Sequence, residues 1–296
     1  MSEEQLSPSV SRAMWAAAEP VVLMGLAGPE PQAAMAELGM PRASNFLALR
    51  AAPLGKASAA VVAAAFHGFP RSRFEIHLSP IWQTIEPEAV IEATHTAIPL
   101  MMDRVFGDSV SVAELTRLGQ LLADVSQNLD VAGRPLAAAN QAVATPDEPW
   151  ARFWRAWTVL REFRGDTHVA ELVAHDVTVV DAQVLGALWK PESLDVEMLR
   201  STRRLDDEIW QLGQVSLQSR GLLDASGALT PAGVALREEI EFRTDVACLR
   251  IWSQLSAADL DAVYAFTLSL SESAIAGEHM RAKTAVGAPW PAPALR

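Results

Sequence analysis

The stretch LREFRGDTHVAELVAHD, residues 160–176, gathers Arg161, Glu162, Arg164, Asp166, His168, Glu171, His175 and Asp176 in a chain of which only 20% is charged. Guanidinium forks match carboxylate or phosphate, and an imidazole beside a carboxylate suits proton transfer. On a helix beginning near Glu148, residues Trp150, Phe153, Trp154 and Trp157 share one stripe. Arg161 and Arg164 continue that stripe, whereas Glu162 falls on the opposite side, toward solvent with Glu171 and Asp176. Two arginines on an apolar face need acceptors, because an unpaired buried charge costs several kcal/mol. Within the chain Asp166, Glu19 and Glu75 are available. A ligand carboxylate or phosphate is the alternative, and an ion-pair network that merely locks two helices would read the same.

Gly165-Asp166 reads as a helix stop followed by an N-cap, which places His168 in the first turn of a new helix. The positive helix end would hold that imidazole neutral. The expected site therefore has His168 and Asp166 as acid/base groups and Arg161 and Arg164 as the anion grip. Arg50, Glu19 and Asn140 would orient them, with Trp154 and Trp157 walling a pocket for a flat or acyl ligand. The competing reading makes His168 a hydrogen-bonded structural residue. His168, Glu171 and His175 at i, i+3 and i+7 lack the close spacing and further ligands of a zinc site, so no metal is expected. Glycine-rich phosphate loops, GxSxG and HExxH are absent, and no cofactor is expected.

The chain has 296 residues, half of them hydrophobic, enough for two modest domains with real cores. A single cysteine, Cys248, excludes an internal disulfide and any multi-cysteine metal site. Its acidic N-terminus lacks a signal-peptide pattern and no run of apolar residues is long enough for a span, so a cytoplasmic protein without membrane association is expected.

Helical periodicity dominates, with Met14, Trp15, Ala18 and Val22 on one face of a first helix and Val61, Val62, Ala65, Phe66 and Phe69 behind a Ser58 cap. Pro99 should kink or split a later helix. After residue 178 the pattern shortens to segments near 182–189, 193–200 and 206–219, then Leu222-Leu223 and Ala228-Leu229 flank a Ser226-Gly227 turn. Thr230-Pro231 opens another helix. The expected fold class is mainly α: a helical N-terminal domain, then a winged helix-turn-helix domain with a small two-stranded wing, then a C-terminal helix. The boundaries are a flexible N-terminus at 1–11, a helical ligand-binding domain at 12–178 and the winged unit at 179–250. A helix for packing or dimerisation follows at 251–280, with a flexible proline-rich tail at 281–296.

RAAPLG (Arg50 to Gly55), GRPLAAAN (Gly133 to Asn140), LREFRGDTHVAEL (Leu160 to Leu172) and RGLLDASGALTPAG (Arg220 to Gly233), in that order, resemble the actinobacterial helix-turn-helix family called SalK-like or EvbL-like. The resemblance spans nearly the whole chain and implies a helix-turn-helix protein of specialised metabolism. Two motifs depart from it: EPVV puts Val22 where the family has histidine, and Asn45-Phe46 replaces an aromatic pair. Whatever role the family gives that histidine does not carry over.

Charge argues against DNA as the partner. Net charge is −12, and residues 176–250 hold 8 Arg and Lys against 13 Asp and Glu. The recognition segment opens on Asp206, Asp207 and Glu208, where phosphate-rich grooves would face it. The basic cluster Arg200, Arg203 and Arg204 is the one counterargument. The expected function is therefore small-molecule binding, with or without cofactor-independent catalysis, on an anionic or acyl-type ligand, in a possible homodimer. The alternative is a ligand-responsive winged-helix transcriptional regulator.

Overall fold

The computed structural model describes residues 6–295, Asp108 by its backbone alone. Helices α1 (Pro8–Ala27), α2 (Pro29–Glu37), α3 (Arg42–Ala51), α4 (Ala59–Phe66), α5 (Arg71–His77), α6 (Pro87–Phe106), α7 (Val112–Gln127) and α8 (Pro135–Gln141) lead to a long α9 (Pro149–Ala174). Then come α10 (Val179–Trp189), α11 (Val196–Arg203), α12 (Asp207–Ser219), α13 (Pro231–Trp252) and α14 (Ala257–Ala276). Residues 1–5 of the segment expected to be flexible lie outside the described residues. The rest of it does not extend to residue 11, because Ser7 caps α1 and Val10 and Ser11 are already buried.

Helix α9 is the axis of the body, packed by α1, α6, α7, α8 and α13. A helix enclosed on this many sides has no solvent face to leave polar. Glu162, Arg155 and Arg164 are accordingly buried beside Phe153, Trp157 and Phe163, and the expectation of an outward Glu162 fails for that reason. The expected stop at Gly165-Asp166 fails as well. Interior glycine costs about 1 kcal/mol of helix propensity, which neighbouring packing readily overrides. Thr167 Oγ1 donates to the Phe163 carbonyl one turn back, and Asp166 caps a different helix, so α9 runs on. Pro99 likewise does not split α6.

Gly25 of α1 faces the Trp154 indole so closely that a Cβ would collide with the ring and come within 2.8 Å of Ile98 Cδ1. The indole meanwhile donates to the Val22 carbonyl at 3.2 Å. In Gly25→Ala, overpacking and loss of that bond outweigh the roughly 1 kcal/mol gained in propensity. Urea unfolding is expected to show a net loss of about 2 kcal/mol.

Helices α10, α11 and α12, capped by Thr178, Asp195 and Asp206, match the three short segments read from the sequence. They enclose a second small core of Val184, Leu185, Leu217, Leu222 and Leu223. The wing is a correction. Leu223 and Leu229 form one isolated antiparallel bridge around a turn that Gly227 makes at φ 84°, and no strand exists among the described residues. Nine residues, Leu222 to Thr230, closed by two backbone bonds, Asp224 N to Ala228 O and Thr230 N to Leu222 O, are too few for a ladder. Helix α13 starts at this turn and continues into the main body, where Thr244, Cys248, Ile251 and Trp252 are buried. Helix α14 packs on α1.

The proline-rich tail forms no regular element, yet it is not free as the expected flexible segment would be. Thr284 bridges Leu194 and accepts from Asp195 N, Tyr264 donates to the Pro293 carbonyl, and Leu295 is buried. Among the described residues no single helix is long and apolar enough to cross a membrane.

Candidate functional site

A cleft of about 220 Å³ opens where α1, α3, α4 and α9 of the body meet α10 and α11 and the tail at 285–287. Its charged lining is mostly cationic: Arg12, Arg50, Arg161, Arg164, Arg203, Arg237 and Lys190 against Glu19 and Glu241. Of the residues expected at a site, Glu19, Arg50, Arg161, Arg164 and His168 come together there.

Two ion-pair groups build its walls. Arg161 grips Glu19 with Nε at 3.0 Å and Nη2 at 2.8 Å, and Glu162 with Nη1 at 2.9 Å. Arg50 meets the same Glu162 as a two-bonded fork at 2.8 and 2.7 Å. Burial alone would raise the Glu162 pKa, but Arg50 and then Arg161 override it and hold the carboxyl down at about 2. Across the cleft, Arg164 Nη2 meets Glu241 at 3.1 Å and Asp245 at 3.3 Å, Arg12 reaches both acids, and Arg237 pairs with Glu241. Arg164 also stacks over Trp15 at 3.9 Å. Arg161 thereby ties α1 to α9 through Glu19 while still lining the cleft.

Arg203, at the end of α11, is different. Among the described residues no carboxylate pairs with it, and its buried Nε has no hydrogen-bond partner. Its guanidinium lies over the Phe69 ring at 3.8 Å. Burial, followed by the like charges of Arg50, Arg73 and Arg161, pushes its pKa down to about 9. A cation so placed lacks an anion.

His168 lies in mid-helix, so the helix-end explanation of its neutrality is replaced. Burial, with Glu241 opposing, pushes its pKa down to about 3. Its Nδ1 lies 3.2 Å from Thr244 Oγ1, whose own proton goes to the Ile240 carbonyl at 2.7 Å. Nδ1 is therefore the protonated nitrogen, and Nε2 is left as an acceptor on a residue lining the cleft. The unfolded imidazole, near 6.5, takes a proton that the folded one refuses, so stability is full above 6.5 and is lost as pH falls toward 3. The wild type should lose about 1 kcal/mol per pH unit between pH 6.5 and about 4 relative to His168→Asn, measured by urea unfolding at each pH.

Four expected site residues lie elsewhere. Asp166 accepts from the Ala137 amide at 2.8 Å, in the first turn of α8, and its pKa rises to about 7 because burial, aided by Glu162, outweighs that amide bond. Asn140 is buried and receives Arg155 on its side-chain oxygen at 2.8 Å and its carbonyl at 2.5 Å. Trp154 is core, and Trp157 borders a separate void of about 20 Å³, too small for a ligand. The sequence reading missed Arg12, Arg237, Glu241 and Asp245. Their signal was present, since Arg237, Glu241 and Asp245 repeat every four residues on one face of α13. Among the described residues no group of three His, Cys, Asp or Glu side chains is placed to hold a metal ion.

The model of a helix-turn-helix family matches residues 11–281 of the chain. No curated protein and no solved structure matches the chain.

Proposed function

The chain belongs to the helix-turn-helix family, and on that premise we propose that it binds a small anionic molecule in the cleft between its helical body and its helix-turn-helix unit. The observation that carries this reading is Arg203, a half-buried cation with no carboxylate partner among the described residues, on the wall of a ready-made cleft. An unpaired buried guanidinium is costly, and a bound anion removes the cost. The SalK-like or EvbL-like affinity, and with it an actinobacterial biosynthetic setting, belongs to the same proposal. His168, neutral with Nε2 as its acceptor, is the group available should the bound molecule be converted rather than only held.

A DNA-binding regulator is the second reading, and family membership favours it. The local charges weigh against it. Of the basic cluster, Arg203 faces inward, Arg200 pairs with Asp207 at 2.5 Å, and only Arg204 stays outward. Asp207 and Glu208 are exposed in the first turn of α12. Thermal unfolding with inorganic phosphate, benzoate and neutral benzamide tests the first reading: the anions should raise Tm and benzamide should not. Equal behaviour of all three would remove it. A mobility shift on the protein's own upstream DNA tests the second, which predicts binding that weakens steeply with salt.

A further inference from the structure

The charges around Arg203 say more than that an anion is missing. Behind it, on α5, Arg73 also has a buried Nε without a partner; its Nη1 donates to the Thr202 carbonyl, and no carboxylate pairs with it among the described residues. The two guanidinium groups share the Phe69 ring, at 3.8 and 5.3 Å from its centre. Arg50 and Arg161 complete the set of like charges that reach Arg203. Against these four cations stand two carboxylates, Glu19 and Glu162, both already engaged. The corner thus carries two uncompensated positive charges in a protein whose net charge is −12. One carboxylate would leave half of that excess; a dianion removes it. Phosphate supplies two negative charges at neutral pH and three acceptor oxygens on one atom, the shape that guanidinium groups meet best.

Volume and lining set the rest of the molecule. At roughly 30 Å³ per water, about 220 Å³ holds on the order of seven waters, or a molecule of roughly ten non-hydrogen atoms. A bare phosphate would leave Phe66, Trp189, Leu194, Leu199 and Val286 facing empty space. We infer that the cleft takes a small phosphate monoester, its dianionic head against Arg203 and a compact apolar body against the Trp189, Leu194 and Val286 wall. The inference rests on the anion-binding reading above and narrows it to one ligand class.

Calorimetric titration of the full chain with phenyl phosphate, inorganic phosphate and benzoate, at a pH about two units above the second phosphate pKa near 6, tests it. Phenyl phosphate should bind roughly tenfold or more tighter than either of the others. Arg203→Met should weaken it at least about tenfold. Arg73→Met, which removes one surplus charge without touching the lining, should weaken phenyl phosphate several-fold and benzoate less. Arg203→Lys keeps the charge but not the fork and should fall between wild type and Arg203→Met, which keeps the test valid should the Met variant fail to fold. Benzoate binding as tightly as phenyl phosphate would overturn the phosphate assignment and leave anion binding standing. Inorganic phosphate binding as tightly would overturn the apolar body. Failure of all three to bind would overturn the anion-binding reading together with this one.

Discussion

Replacing Arg203 by Met is expected to leave the unliganded protein as stable as the wild type or about 1 to 2 kcal/mol more stable, while abolishing its stabilisation by anions. The two effects have one cause. Among the described residues the guanidinium has no carboxylate partner and its buried Nε no acceptor, and three arginines crowd it. Methionine keeps much of the side chain's length and its contact with Phe69 while removing the buried charge. An anion at 100 times its Kd stabilises the wild type by about 2.7 kcal/mol, and this increment should vanish in the variant. Urea unfolding with and without phenyl phosphate measures both. A structural arginine would behave in the opposite way, with the unliganded variant losing 2 kcal/mol or more.

Glu162→Gln should be far more damaging, with a loss of about 3 to 5 kcal/mol in unfolding free energy. Glu162 is 1% exposed and is the carboxylate shared by Arg50 and Arg161. Arg161 would keep Glu19, but Arg50 would have no carboxylate left. A glutamine of the same shape keeps the packing but removes the charge and turns an amide donor toward an arginine donor, so the loss reports the charge and its hydrogen bonds rather than the packing. The restoring control is Glu162→Gln with Arg50→Met, which removes the orphaned cation and should recover part of the loss. A loss below 1 kcal/mol would show that the pair is not buried in the way described.

Much of the helical architecture was legible because buried stripes and caps are local: Ser58 and Thr230 cap the helices they precede. The wing was overread, since two apolar pairs around a glycine turn signal a reversal but cannot signal the length of a ladder. The break at Gly165-Asp166 was overread for a related reason. Local propensity favours a stop, and five packed neighbours of α9 decide otherwise. At the site, Arg161, Arg164, Arg50, Glu19 and His168 could be found because charges on an apolar stripe must face something. Glu162 could not, because a helix enclosed on every side gives its second face no pattern. Arg203 was visible only as part of a basic surface cluster. That it turns inward depends on how α11 meets Phe69 and Gly68, which are more than one hundred residues away in sequence.

The most direct test of the account is the nuclear magnetic resonance signal of the Arg203 Nε–H group, assigned by its loss in Arg203→Lys and followed during titration with phenyl phosphate. Among the described residues the donor has no acceptor. A bound anion in the cleft meets the same guanidinium and changes the field at its Nε–H, so the proton resonance should move in step with the calorimetric binding curve. A saturable binding curve during which that resonance stays in place would put the anion elsewhere and contradict the assignment of the cleft.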